Sequence, residues 1–363
     1  MIRPPGAQPD RLWSAGTHRA SSILERVSQT QPFALAVDAC IRIEAASRLV
    51  TDRTWSPLRP LSSPTAARRE RAARAERAAG LRYDLAQGWV RSIQLSDAKA
   101  ARLIHWREAG DGPPLVLING WSVSGLAWPE TWLRQLESQF RVIRVDNRGT
   151  GWSRFAPSVY SIADLANDVV RVMDAIGVER ARILGLSMGG MIAEELAMRR
   201  PERVEHLFIV ASRPPAPRHI PAGGDRARAL MMAPAAGVPL HEHVARLWAG
   251  CCAPGFMETH PTVLQELAAQ VIARPTPRVL MRSQLRAILG WGGADRLRQL
   301  AVPTTVVHGD LDELIPVGNG MRLAQVIPGA RYIELAGVGH LVPHEAPAEL
   351  AALIEETLIP RTV

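Results

Sequence analysis

Residues 181–200 read ARILGLSMGGMIAEELAMRR: an apolar run, a serine flanked by glycines, then a helical pattern. Gly185-Leu186-Ser187-Met188-Gly189 is the only G-x-S-x-G in the chain, and Gly190 extends it. A sharp strand-to-helix turn forces its central residue into strained backbone geometry, and side chains at the flanks would clash. Such a turn presents Ser187 Oγ at the carboxyl edge of a sheet. It also puts the Met188 N–H at a helix start, where positive partial charge favours an oxyanion.

Outward from this turn the pattern is strand–helix alternation. Apolar runs occur at LVLIN (115–119), RVIRVD (141–146), ARILGLS (181–187), HLFIVAS (206–212), PTTVVHG (303–309) and RYIEL (331–335). Helical segments lie near 127–138, 161–176, 189–200, 317–327 and 346–358. Continuous β-branched runs between helices imply an α/β fold with a mostly parallel, doubly wound sheet covered on both faces. Residues 213–295 hold no comparable strand but have helical patterns, so they read as a helical cap or lid inserted after one strand. The core is then 81–212 with 296–363, and LRYDLAQGWVRSIQL (81–95) is placed to supply its first edge strands.

A serine needs a base to become a nucleophile, and the base needs an orienting acid. Such groups belong at the carboxyl ends of later strands. After PTTVVHG come Asp310, Asp312 and Glu313; after RYIEL comes Ala336-Gly337-Val338-Gly339-His340. The strand ending in Ala211-Ser212 offers no acid. The order serine, acid, histidine leaves room for the insertion between the first two and for one helix and one strand between the last two.

GLSMGG, VDNRGTGWS, HGDLDELIP and GVGH occur in this order. Residues from about 101 to 363 thereby resemble the α/β-hydrolase superfamily, particularly its serine esterase and lactonase branch. The resemblance implies a cofactor-free triad of Ser187, Asp312 and His340. Asp312 matches the acid of the family's G-x-x-D-x-x-x-P pattern, which leaves Asp310 as a turn residue, and His344 does not match the base. The second oxyanion donor implied is the Trp121 N–H, in Asn119-Gly120-Trp121, where the family usually has His-Gly and a bulky residue. Asn119 departs from that pattern; it bonds backbone as an imidazole would but does not titrate. Polyhydroxyalkanoate depolymerases resemble this chain in having Asn-Gly there.

The implied activity is cleavage of a small apolar carboxylic ester or lactone, or a thioester, through an acyl-enzyme. Cofactor-free haloperoxidases and acyltransferases share the triad and stay open, as does a non-catalytic, hydrolase-like binding protein. Specificity is expected in the insertion, where Met231, Met232 and Trp248, with Trp121, are candidate substrate-binding residues. No metal site is expected: His241-Glu242-His243 lacks a third ligand at suitable spacing. Asp146 and Arg148, in the D-x-R-G-x-G-x-S turn, read as structural.

At 47% apolar and 21% charged residues the composition is globular. The net charge of +8 is uneven: residues 1–100 hold 16 basic and 9 acidic side chains, the remainder 27 and 26. Residues 1–80 read as a basic, mainly helical extension. In it AARRERAARAERAAG sets Arg68, Arg71, Arg74 and Arg77 on one helical face, a candidate contact for an acidic protein partner. Only Lys99 among the 43 cations is lysine, and arginine richness alone is not phosphate recognition, so nucleic acid is not an expected partner. Three cysteines make no disulfide framework, and no apolar run is long enough to span a membrane. A cytoplasmic setting is the expectation.

Overall fold

A computed structural model describes residues 91–97, 100–153, 159–221, 235 and 237–358. Apart from Pro221 these belong to the compact unit formed by Arg59–Ile220 and Ala233–Val363. The basic extension over 1–80, with its arginine helix, lies outside the described residues, as do Met231 and Met232.

The described elements run in chain order as β1 (Arg91–Asp97), β2 (Ala100–Ala109), β3 (Pro114–Ile118), α1 (Glu130–Glu137), β4 (Arg141–Val145), α2 (Ile162–Ala175), β5 (Ala181–Leu186), α3 (Met188–Arg199) and β6 (Val204–Val210). Four helices follow: α4 (Leu240–Ala249), α5 (Phe256–Thr259), α6 (Pro261–Ala273) and α7 (Arg278–Leu289). The chain then returns through β7 (Thr304–Gly309), α8 (Gly318–Val326), β8 (Arg331–Leu335), α9 (Val342–Glu345) and α10 (Pro347–Glu355).

One eight-stranded sheet has the order β1-β2-β4-β3-β5-β6-β7-β8. Strand β2 is antiparallel to both its neighbours, and β3 through β8 are parallel. The six apolar runs of the sequence thus form the parallel part. The runs omit β1, which overlaps the edge-strand segment 81–95, and β2, in which buried His105 and Arg107 break the apolar signal.

Alternation along each strand divides the core in two. Val116 and Ile118 of β3, Ile183 of β5 and Ile209 of β6 face α2 and α3, meeting Val169, Met173, Ile192 and Leu196. Leu115 and Leu117, Leu184 and Phe208 face the other way, against Trp132, Leu133 and Leu136 of α1 and Leu350 and Ile354 of α10. These side chains are essentially inaccessible to solvent, and each contributes about 1.5–3 kcal/mol relative to exposure. Helix α2 starts on a capping box: Ser161 Oγ accepts the Asp164 N–H at 3.2 Å and Asp164 Oδ2 accepts the Ser161 N–H at 2.8 Å. With β3 to β8 parallel, the loops that leave β3, β5, β7 and β8 emerge at one edge of the sheet. Parallel sheets place ligands at that edge.

Candidate active site

Ser187 follows β5 directly, with φ 58° and ψ −118°, outside the regions comfortable for a residue with a side chain. The flanking glycines explain why the turn closes. A Cβ on Gly185 would lie 2.1 Å from the Gly189 carbonyl oxygen, and one on Gly189 would lie 2.0 Å from the Ile118 carbonyl oxygen. The Ser187 N–H donates to the Val210 carbonyl at 2.9 Å, and Ser212 Oγ donates to the Ser187 carbonyl at 2.9 Å. Behind Ser212 lies Glu194, wholly buried, and burial pushes its carboxyl well above the usual range.

The loop after β3 approaches the serine closely. A Cβ on Gly120 would be 3.3 Å from Ser187 Cβ and 3.7 Å from Oγ. Asn119 shapes this loop: its Oδ1 accepts the Gly120 N–H at 2.7 Å and its Nδ2 donates to the Ser124 carbonyl at 3.1 Å. That is the backbone-bonding role available to an amide. Among the described residues no hydrogen bond engages the N–H of Trp121 or of Met188. The Trp121 indole Nε1 donates to the Met281 carbonyl on α7 at 2.9 Å, so the side chain is committed to anchoring its loop.

Asp312 lies beyond β7 and His340 beyond β8, both buried. His340 Nδ1 is 2.8 Å from Asp312 Oδ2, while Asp312 Oδ1 accepts the N–H groups of Leu314 at 2.9 Å and Ile315 at 2.8 Å. A second imidazole shares the carboxylate: His308 Nε2 donates to the Ile315 carbonyl at 2.8 Å and is 3.2 Å from Asp312 Oδ2. Burial alone would push the Asp312 carboxyl up. The adjacent His340 and His308 outweigh it and hold the carboxyl at about 2. Asp310 instead accepts the Gly337 N–H at 2.7 Å, a turn contact. The ring nitrogens of His344 are buried, and desolvation lowers its pKa to about 4.

The loop carrying His340 is tied down on both sides. The His340 N–H donates to the Cys251 carbonyl at 2.8 Å. Glu345 accepts the N–H groups of Gly339 at 2.9 Å, Leu341 at 2.9 Å and Ala253 at 2.7 Å. Neither Glu345 nor His308 is among the sequence candidates, because their partners are fixed only by the fold. Trp248 is half-buried on α4. Asp146 accepts the N–H groups of Gly125 at 2.8 Å and Trp152 at 2.9 Å, and Arg148 pairs with buried Asp168, with Nη2 at 2.8 Å from Oδ1. Among the described residues no cluster of three or more His, Cys, Asp or Glu is arranged to hold a metal ion. No described helix is long and apolar enough to cross a membrane.

This sheet order and these loops are those of an α/β hydrolase. The chain belongs to the alpha/beta hydrolase fold family, whose pattern matches residues 113–347. It is similar to RutD of Azorhizobium caulinodans, a carbamate hydrolase by name: 29% identical over 237 residues, 65% of this chain and 88% of that protein. It is also similar to the pimeloyl-[acyl-carrier protein] methyl ester esterase of Aeromonas hydrophila, 30% identical over 250 residues, covering 68% of this chain and 95% of that one. Among solved structures it is similar to Est816, an N-acyl homoserine lactone degrading enzyme. There the TM-score is 0.57 at 28% identity, over 73% of this chain and 99% of the other.

Proposed function

We propose that the protein hydrolyses a carboxylic ester or lactone through a Ser187–His340–Asp312 triad and an acyl-enzyme. The observation that carries this reading is the buried Asp312–His340 pair at 2.8 Å, on the sheet edge where Ser187 occupies a strained turn. With Nδ1–H donated to Asp312, the imidazole holds its free lone pair on Nε2, the nitrogen required to take the proton from Ser187. Ser187 Oγ attacks the substrate carbonyl carbon, and the oxyanion is met by the Met188 and Trp121 N–H groups. His340 returns the proton to the leaving alkoxide. Water, deprotonated by the same imidazole, then cleaves the acyl-enzyme and frees Ser187.

Residues 213–295 act in this reading as the cap that shapes the acyl pocket, with residues 1–80 accessory to catalysis. Ester and lactone activity among the relatives supports the substrate class, and the apolar residues of the cap support an apolar acyl group. The decisive test is kcat/KM over a series of acyl chain lengths and of lactones, with Ser187→Ala as the blank. Stoichiometric labelling of Ser187 by a fluorophosphonate is expected. Absence of labelling in a folded, wild-type protein refutes the activated serine.

A further inference from the structure

Helix α7 lies outside the sheet, yet its side chains reach the loop that carries the second oxyanion donor. Gln284 is 0% exposed, and both ends of its amide are used. Its Oε1 accepts the Ser122 N–H at 2.8 Å, and its Nε2 donates to the Arg148 carbonyl at 2.8 Å. The first bond is to the residue next to Trp121. The second is to the loop after β4, whose Arg148 side chain is itself locked to buried Asp168.

Ser122 needs such a hold. Its φ is 66°, a left-handed conformation that a residue with a Cβ adopts only at a cost. Backbone of this kind persists only where its surroundings over-determine it. Three contacts from one segment do so: Gln284 on the Ser122 N–H, Thr276 Oγ1 donating to the Ser122 carbonyl at 2.7 Å, and the Met281 carbonyl receiving the Trp121 indole at 2.9 Å. Both peptide planes flanking Ser122 are therefore set by residues 276–284. The plane bearing the Trp121 N–H, shared with the Gly120 carbonyl, is the one immediately before them in the chain.

We propose that Gln284 is a positioning residue for the oxyanion hole, holding the Trp121–Ser122 backbone so that the Trp121 N–H points at the developing oxyanion. The inference rests on the triad reading above. It makes α7 part of the catalytic apparatus and not only a wall of the acyl pocket. An oxyanion donor that is absent costs about 10²–10³ in kcat, so one that is present but loosened costs a part of this.

The test compares Gln284→Met, which keeps the length and removes both polar ends, with Gln284→Glu, which keeps an acceptor for the Ser122 N–H. Active enzyme is counted by fluorophosphonate titration, and KM, kcat and the Ki of a trifluoromethyl ketone are measured. Such a ketone forms a hemiketal with Ser187 whose oxyanion occupies the hole. Gln284→Met is expected to lower kcat per titrated site by about 10–100-fold with KM little changed, and to raise the ketone Ki by a similar factor. Gln284→Glu, which keeps the Ser122 acceptor but turns its second oxygen on the Arg148 carbonyl, is expected to recover a part of both. A folded Gln284→Met with wild-type kcat, or with kcat lowered while the ketone Ki stays put, overturns the proposal. If Gln284→Met does not fold, Thr276→Val decides: a severalfold loss read equally in kcat and Ki supports the clamp, and unchanged values overturn it. Turnover retained by Ser187→Ala would instead refute the triad reading, a result separable from either outcome.

Discussion

Replacing Asp312 by Asn tests the site at its most constrained atom. In the wild-type protein Oδ1 accepts two loop N–H groups, from Leu314 and Ile315, and Oδ2 faces His340 Nδ1 and His308 Nε2. The Asn oxygen takes the place of Oδ1, because the two loop N–H groups demand an acceptor. Its NH2 then stands against two imidazole N–H groups, donor against donor. His340 escapes by moving its proton to Nε2, the tautomer that cannot accept the Ser187 proton. The expected loss is about 10⁴ in kcat, or about 5.5 kcal/mol.

The same substitution has a signature in stability. Held at about 2 in the fold, against about 3.9 in an unfolded chain, this carboxylate contributes about 3 kcal/mol at neutral pH. A depressed acid stabilises fully above its unfolded pKa, and that contribution is lost as pH falls through the folded value. The gap in urea unfolding free energy between wild type and Asp312→Asn is therefore expected to be widest at pH 5–8 and to shrink steadily from about pH 4 to pH 2. Asp310→Asn is the control, since an amide oxygen still accepts the Gly337 N–H and kcat should hold near wild type. A larger kcat loss in Asp310→Asn, or a stability gap that does not narrow with acid, would refute the assignment of the acid.

Ser187→Ala should cost on the order of 10⁶ in kcat with the fold retained, measured by ester turnover and circular dichroism. A mutant with a tenth of wild-type activity would place the nucleophile elsewhere. Gly189→Ala forces a methyl against the Ile118 carbonyl and should cost about 3 kcal/mol, seen as a depressed Tm together with lost turnover; a wild-type Tm refutes the packing argument. Deleting residues 1–80 leaves β1, which begins at Arg91, intact, and a folded truncation should keep kcat close to that of the full chain. A folded truncation with kcat reduced a hundredfold would make the extension part of the active site.

What was legible in the sequence is what is encoded within a few residues. The β3–β7 runs are apolar because both faces of these inner strands are covered, and the Ser187 turn announces itself because its glycines are spaced by a steric rule. Strand β2 escaped because a buried charge looks like an exposed one until its neighbours are known. The residues that hold the catalytic loops are illegible for a related reason. Gln284 meets Ser122 across 162 positions and Glu345 meets Ala253 across 92, and a glutamine or glutamate on a helix reads as solvated unless something says the face is covered. His308 lies only four residues before Asp312, but its role depends on how the intervening turn folds back to bring Nε2 to Oδ2. Ser187, Asp312 and His340 stand on loops fixed to the sheet and so carry local signals. The groups that aim them come from the segment between β6 and β7, from β7 itself and from α9, where only the folded chain makes the contact. Substitutions that disable this enzyme without touching the proposed triad should therefore concentrate in 251–284 and at Glu345, the segments whose contacts end on Ser122, Gly339, His340 and Leu341.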